Sequence, residues 1–228
     1  MNTSKIVIAL IAIALIIGFG TFFYITRPVP APSEDIRLGT ELSTEEDSST
    51  SLFRISQEDS RVEFNINEVL RDEDFTAVGV TNQVAGDIRV NFEDFSQSEV
   101  GNIRVNARTL KTDSERRDGA IGSLILRSEE FEFIEFKPTS ISGLPQGNSA
   151  KTPINFNIIG DLTITNITHP ATFNAIITTV SEESISGEAT AIINRSDYNL
   201  TIPDVPFVAN VEDEVTLKIN FVANRASS

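Results

Sequence analysis

Apolar and polar residues alternate with a period of two over much of the chain beyond residue 52. This alternation predicts strands that bury one face, because successive side chains of a strand point to opposite faces. The clearest case is Val215, Leu217, Ile219 and Phe221, which alternate with polar residues near the carboxyl end. Similar segments occur at 62–66, 84–92, 103–107, 154–158 and 185–193. The pattern therefore predicts an all-β domain.

One stretch has a helical period instead. Ile121, Leu124 and Ile125 are spaced at i, i+3 and i+4, and Asp113 or Ser114 is placed to cap the segment. We therefore predict one short helix over residues 114–126. A loop is predicted at 143–149, and prolines are expected to interrupt strand pairing at 168–170 and 202–204.

The number and spacing of the strands suggest how they are arranged. About eight alternating segments with hairpin-length links favour an eight-stranded antiparallel sheet closed into a barrel. A sandwich of two packed sheets is the alternative, because alternation alone does not distinguish the two arrangements.

The first 26 residues have a different character. Residues 6–25 contain no charged side chain, and about 20 helical residues span roughly 30 Å of bilayer. Lys5 precedes this segment, and an acidic stretch follows it soon after Arg27. The positive-inside rule then places the amino terminus in the cytoplasm and the rest of the chain outside. We predict an uncleaved single-pass anchor in the cytoplasmic membrane, with a cleaved signal peptide as the alternative.

Residues 27–51 separate this anchor from the β domain. They combine prolines with Ser, Thr and acidic residues and show neither a helical nor a strand period. Such a composition is typical of a disordered, solvated tether. The predicted organisation is an anchor at 1–26, a linker at 27–51 and one β domain at 52–228.

Charge and composition exclude several classes of function. A net charge of −15 argues against nucleic acid, because phosphate binding needs a basic face. The absence of cysteine excludes disulfides and thiolate chemistry, and His169 is the only histidine. No Gly-x-Ser-x-Gly elbow occurs, and the acidic run at 72–74 lacks the spacing of a calcium loop. We expect no metal site, no cofactor and no catalytic residues, so the protein is expected not to be an enzyme.

Three blocks of sequence resemble the YceI-like family and follow one another in the family's order. The first block reads TLKTDSERRD at 109–118 and LRSEEFEFIEFKP at 126–138, the second IGDLTITNITHP at 159–170, and the third NRSDYNL at 194–200. Asn166 and Asn199 replace common glycines, and asparagine tolerates the left-handed backbone that such turns use. Gly119 and Ala120 replace a frequent His-Leu pair, which removes a histidine from that position.

The resemblance covers residues 52–224 and implies a lipocalin-like barrel with a long apolar cavity. In this family the cavity holds a polyisoprenoid or another long-chain amphiphilic lipid, and a homodimer is also implied. Twelve inward apolar residues are candidates for the cavity lining: Phe64, Ile66, Val90, Phe92, Val105, Phe133, Phe156, Ile158, Phe173, Leu217, Ile219 and Phe221.

Two arginines are candidates for contact with the head group of such a lipid. The guanidinium groups of Arg117 and Arg195 suit a phosphate or carboxylate, although ion pairs with Asp118 and Asp197 are the structural alternative. The predicted function is a membrane-tethered, extracytoplasmic lipid carrier or sequestering protein. The alternative is a structural or interaction module of the cell envelope whose barrel is filled by its own side chains.

Overall fold

The structure is a computed structural model, and it describes residues 33–42, 49–148 and 153–226. The predicted anchor at 1–26 and much of the predicted linker lie outside these ranges. Among the described residues, no helix has the length and apolar character needed to cross a membrane.

The described residues form thirteen strands and one short helix. The strands are β1 (Thr50–Ile55), β2 (Arg61–Leu70), β3 (Glu73–Thr81), β4 (Val84–Ala85), β5 (Asp87–Asn91), β6 (Glu99–Val100), β7 (Ile103–Asn106), β8 (Phe133–Ser142), β9 (Ile154–Ile164), β10 (Ile167–Val180), β11 (Ser184–Asn194), β12 (Val208–Ala209) and β13 (Glu214–Arg225). The helix α1 (Glu115–Ala120) continues as a π-helical turn at Ile121–Ile125. Short 3₁₀ turns lie at Phe95–Gln97, Ala107–Thr109 and Arg195–Tyr198.

All thirteen strands belong to one antiparallel sheet that curls into a half-barrel. Its main path runs β4-β7-β8-β9-β10-β11-β13-β1-β5-β6, and β13 also pairs with β2, which in turn pairs with β3 and β12. The all-β prediction is confirmed, and the single sheet rules against the two-sheet alternative. The predicted closure of eight strands into a barrel is corrected to an open half-barrel. The strand count stays above eight even without β4, β6 and β12, which are only two residues long, because ten longer strands remain.

The strand β13 changes partner along its length. Its first half pairs with β2, from Val215 opposite Ile66 to Asn220 opposite Arg61. Its second half pairs with β1, where Phe53 lies opposite Arg225. The two ends of the half-barrel are therefore built by different neighbours.

The predicted helix is confirmed. Ser114 has extended backbone angles and caps α1, with its hydroxyl accepting a hydrogen bond from the Arg117 N–H. The π-helical turn carries Ile121, which is buried, and ends at Leu126. The amphipathic spacing of this segment was therefore a sound guide to its position.

The predicted interruption at 168–170 is wrong. The strand β10 runs through His169 and Pro170, and Pro170 lies opposite Asp161 of β9. Pairing of β10 with β11 begins only at Asn174. Pro170 therefore lies where one side of β10 has no strand partner, so its missing N–H removes no ladder hydrogen bond there. The loops at 143–148 and around Pro203 are present as predicted.

Residues 33–42 lie within the predicted linker, yet they form a turn against the β domain. Arg104 Nη1 donates to the Leu38 carbonyl at 2.6 Å, and Asn102 donates to the Gly39 carbonyl at 3.0 Å. The Leu42 N–H donates to the Asp87 carboxylate at 3.3 Å. Together with β1, which begins at residue 50, this segment departs from the disordered tether expected over 27–51. Composition did not reveal these contacts because their partners lie 45 to 66 residues away in the chain.

Candidate functional site: an apolar cavity and its mouth

An elongated cavity of about 550 Å³ lies inside the half-barrel. This volume falls within the range of about 300–1,000 Å³ that is usual for small-molecule sites. Val215, Leu217, Ile219 and Phe221 all line the cavity. It therefore extends along β13 by roughly 20 Å, at about 3.3 Å per residue. The lining is predominantly aliphatic and phenylalanine side chains.

Nine of the twelve predicted lining residues face this cavity. They are Phe64, Ile66, Val105, Phe156, Ile158, Phe173, Leu217, Ile219 and Phe221. Their period-two spacing along each strand indicates the inward face correctly. Contact between these side chains and a lipid stays a prediction.

The other three candidates, Val90, Phe92 and Phe133, lie away from the cavity. Val90 and Phe92 pack in a separate cluster around Phe53, with the Phe53 and Phe92 rings 6.1 Å apart in an edge-to-face arrangement. Phe133 lies under the Arg104 guanidinium, 3.8 Å from it. In β8 the residues that line the cavity are Ile134 and Phe136, so the predicted inward face of this strand was wrong by one residue.

Several lining residues were missed. Leu162 and Ile164 continue the period-two pattern of Phe156 and Ile158 along β9, so a longer window would have found them. Ala175 and Ala189 also line the cavity and lie opposite each other in β10 and β11. Two small side chains in register leave open volume where larger residues would fill the interior, which is how a barrel keeps a cavity.

The five exposed residues of the lining come from the turn after β2, from the start of α1 and from the loop at 200–211, and we call this part of the cavity its mouth: Arg71, Asp113, Arg116, Pro206 and Phe207. Ala120, Ile121 and Ile125 of the helical segment also line the cavity. The loop at 200–211 is held by β12, which pairs with the end of β2, and by the Arg71 N–H, which donates to the Phe207 carbonyl at 2.8 Å. Phe207 itself is 73% exposed and has a φ of 70°, which few non-glycine residues adopt.

Arg117 lies at this mouth, but its guanidinium group is already paired. Its Nη2 is 2.9 Å from a carboxylate oxygen of Glu68, and its Nη1 bonds to Asp113. It also lies 5.1 Å from the centre of the Phe75 ring. The partner proposed from sequence, Asp118, is engaged elsewhere. Arg117 instead joins α1 to β2 through Glu68 and pairs locally with Asp113.

Asp118 instead holds the segment before α1. Its carboxylate accepts hydrogen bonds from the Thr112 N–H at 2.7 Å and the Thr112 hydroxyl at 2.8 Å, with Lys111 Nζ 3.5 Å away. Burial alone raises the pKa of Asp118, but these hydrogen bonds and Lys111 outweigh it and hold the pKa below its ordinary value.

Arg195 also lies at the mouth, where it holds the loop. It donates to the carbonyls of Leu200 and Glu212, both at 3.0 Å, and lies 3.9 Å from Asp213 rather than pairing with Asp197. Asp213 accepts hydrogen bonds from the Ser196 hydroxyl and N–H, and with Arg195 nearby its pKa is lowered. Arg195 and Asp213 therefore fix the two ends of the loop.

His169 contacts the ring of Tyr198. Its ring packs edge-to-face against Tyr198 with centroids 5.4 Å apart, and neither residue lines the cavity. Burial of Tyr198, with the nearby charge of Asp197, raises its pKa to about 12. Within the described ranges, no group of three or more metal-ligating side chains comes together.

The two asparagines at glycine positions behave differently. Asn199 has a φ of 53° and ends the turn at Arg195–Tyr198, as expected from its tolerance of left-handed backbone. In the turn between β9 and β10 the positive φ falls on Thr165, at 57°, and not on Asn166. The expectation therefore holds at one position and misses the other by one residue.

Comparison with known families agrees with this geometry. A model of the YceI-like domain matches residues 53–223, which is most of the chain. The chain belongs to the YceI-like family. The three sequence blocks thus identified the family correctly, and the matched segment begins within β1 and ends within β13.

Solved structures show the same YceI-like fold. The structure of BcnA from Burkholderia cenocepacia is 16% identical, covers 75% of this chain and 99% of its own, and has a TM-score of 0.57. A polyisoprenoid binding domain from Saccharophagus degradans, implicated in plant cell wall breakdown, is 7% identical, covers 76% of this chain and 98% of its own, and has a TM-score of 0.58. A search among curated proteins finds no match to the chain. At these identities the likeness concerns the fold.

Proposed function

We propose that this YceI-like domain binds a long-chain isoprenoid or similar amphiphilic lipid, with the tail in the cavity and the head group at the mouth. The proposal rests mainly on the open apolar volume of about 550 Å³. Membership of a family associated with polyisoprenoid binding supports the same ligand class, as does the likeness in fold to the polyisoprenoid binding domain from Saccharophagus degradans. The activity is binding without turnover.

The energetics favour the tail as the main source of affinity. Each buried CH₂ contributes about 0.8 kcal/mol, so a fully enclosed five-carbon unit contributes on the order of 3–4 kcal/mol. A few units account for tight binding, because non-covalent affinity saturates near −18 to −21 kcal/mol. Polar groups at the mouth then decide which lipid end stays in water.

The physiological role that we propose is a carrier or sequestering protein at the outer face of a cytoplasmic membrane. The charge-free segment at 6–25 supports such an anchor. Two such domains are proposed to associate as a homodimer. An interaction module with a side-chain-filled interior is the rival function, and the unfilled pair of Ala175 and Ala189 favours lipid binding over it.

The test compares the full chain with two phenylalanine variants on one strand. Ala189→Phe places a ring inside the cavity, whereas Ile192→Phe places a ring of the same size on the outside, where Ile192 is 62% exposed. Each protein is purified from its host in nanodiscs and extracted, and the lipid is identified by mass spectrometry. The wild type and Ile192→Phe are expected to carry about one lipid per chain, and Ala189→Phe about tenfold less.

A different result has a clear meaning. If the wild type is empty and also takes up no added polyprenol, lipid binding is wrong and the interaction module becomes the better account. Circular dichroism of each variant checks that Ala189→Phe retains its β-sheet content.

A further inference from the structure

We propose that the mouth selects lipids with an anionic head group and that Arg71 and Arg116 bind that head group. This inference deepens the proposed function and rests on it. It assigns the head-group role to two residues other than Arg117 and Arg195, whose guanidinium groups are occupied within the protein.

The charge of the cavity lining contrasts with that of the chain. The whole chain carries a net charge of −15. The residues that line the cavity include five cations and three anions: Arg71, Arg116, Arg117, Arg195 and Lys218 against Glu63, Glu68 and Asp113. Lys218 and Glu63 lie in the outward phase of β13 and β2, next to the inward Leu217 and Phe64, so four cations against two anions remain, an excess of two positive charges. The cavity is therefore locally positive on an acidic protein, which favours an anionic group at its opening.

Most of these charges already have partners. Lys218 pairs with Glu188 at 3.1 Å, and Glu63 pairs with Arg61 at 3.4 Å. The acids Glu68 and Asp113 are both bound by Arg117. Arg195 donates to loop carbonyls near Asp213. Arg71 and Arg116 are therefore the two cations of the lining without a charged or hydrogen-bonding partner for the guanidinium group among the described residues.

Neither remaining guanidinium group forms an ion pair or a hydrogen bond with any residue that the structure describes. Arg71 lies in the turn between β2 and β3 and contacts the loop only through its backbone N–H, which donates to Phe207. Arg116 lies on α1, one residue before Arg117. Both side chains are exposed and both line the cavity. Two elements thus each bring one free guanidinium group to the same opening.

This arrangement suits a phosphate or a carboxylate at the boundary with water. A guanidinium group presents several N–H donors in a planar fork that matches such oxygens. Because both arginines are exposed, the head group keeps part of its hydration while the tail enters the apolar interior. Asp72, Glu73, Asp74 and Glu115 lie nearby in sequence but do not line the cavity, so they act through solvent and are screened by salt.

The test uses two probes with one tail, a polyprenol and the polyprenyl monophosphate of the same chain length. The full chain is held in nanodiscs of neutral lipid, and affinities are measured by displacement of a fluorescent apolar dye. The wild type is expected to bind the phosphate about tenfold more tightly than the alcohol. In the double variant Arg71→Gln/Arg116→Gln this preference is lost, because the affinity for the phosphate falls to that for the alcohol.

A matched double variant controls for net charge. Arg127→Gln/Arg225→Gln removes two exposed arginines outside the cavity lining and is expected to keep the wild-type preference. Equal affinities for the two probes in the wild type, or a preference that survives in Arg71→Gln/Arg116→Gln, would overturn the head-group role. If neither probe binds to the wild type, the proposed function itself fails.

Inorganic phosphate alone distinguishes a lipid head group from a soluble anion. It is expected to bind at least about a hundredfold more weakly than the polyprenyl phosphate, because it lacks the tail that contributes most of the affinity. Binding of free phosphate as tight as that of the lipid would assign the two arginines to a soluble ligand and contradict the proposal.

Discussion

The two ends of the half-barrel are built from the same kinds of residue but differ in packing. At the packed end, defined by Phe53, Val84, Val90, Ile185 and Ala223, every side chain is at most 5% exposed. Around the cavity, Phe64, Ile66, Leu217 and Ile219 also face inward, yet each remains partly exposed. The inward phase of a strand therefore does not by itself determine close packing.

The difference arises from what lies opposite each residue. At the packed end the rings of Phe53, Phe92 and Phe95 meet edge to face with centroids 6.1 and 6.3 Å apart, so side chains fill the interior. At the cavity, small residues such as Ala175 and Ala189 lie in register and leave volume unfilled. Unfilled volume forgoes dispersion contacts, so we infer that the packed end contributes more of the fold's stability.

The largest expected effect is therefore a large-to-small substitution at the packed end. Phe53→Ala should lower the free energy of unfolding by about 3–5 kcal/mol, because Phe53 is fully buried among close neighbours. Phe64→Ala, in the cavity wall, should cost roughly half as much, since its ring already borders open volume. Urea denaturation of both variants measures the difference.

An equal loss of unfolding free energy in Phe53→Ala and Phe64→Ala would contradict the proposed difference in packing between the two ends. It would indicate that Phe64 is as closely packed as Phe53 and that the cavity is filled in solution. A larger loss for Phe64→Ala would have the same meaning. Unchanged slopes of the unfolding transitions show that neither variant alters the denatured state.

Much of the fold was accessible from the sequence. The phase of Val215 to Phe221 predicted both a strand and its cavity-facing side, because alternation reports directly on one-sided burial. The spacing of Ile121, Leu124 and Ile125 predicted the position of the helical segment, although Leu124 is 62% exposed and only Ile121 and Ile125 line the cavity. Both features depend on the spacing of residues within a single strand or helix, so a short stretch of sequence is enough to predict them.

The site was less accessible because its decisive contacts join distant parts of the chain. Arg117 pairs with Glu68, 49 residues away, and no local pattern distinguishes that partner from Asp118. Arg71 and Arg116 are notable only because the other charges of the lining are paired, which requires the structure. In β8 the adjacent residues Phe133 and Ile134 are both apolar, so alternation does not distinguish their faces. Phe133 was predicted to line the cavity, but it lies under Arg104 and Ile134 lines the cavity instead.

A smaller effect is expected from Gly79, which lies opposite Phe64 in the pairing of β2 with β3. A methyl group at this position would lie 2.1 Å from the Phe64 ring, so Gly79→Ala must displace the ring. Because the ring borders open volume, it has room to move into the cavity, and the cost in unfolding free energy should be about 1 kcal/mol. Affinity for the polyprenol should fall as the cavity narrows.

The control for this prediction is Gly119→Ala, where nothing lies within 4 Å of the added methyl group. This variant is expected to keep the wild-type affinity for polyprenol. A Gly79→Ala protein that loses several kcal/mol of stability and keeps its affinity would show that the ring does not yield toward the cavity.

The smallest expected effect is a loosening of the mouth by acid. Asp118 and Asp213 have lowered pKa values in the folded protein because hydrogen bonds from Thr112 and Ser196 favour their ionised forms. Their contribution to stability is therefore complete above the unfolded pKa, near about 4, and is lost as the pH falls through the folded pKa.

Hydrogen exchange measured at pH 6 and at about pH 3 checks this prediction. Lowering the pH should reduce the protection of residues 112–125 and 196–213, whereas strand β1 and residues 221–225 should change less. Residues 94–98 do not serve as a reference for the packed end, because the pKa of Asp94 is also lowered. Asp118→Asn should reproduce the loss at 112–125 at pH 6, and uniform loss of protection at both ends of the half-barrel would contradict a stability difference between them.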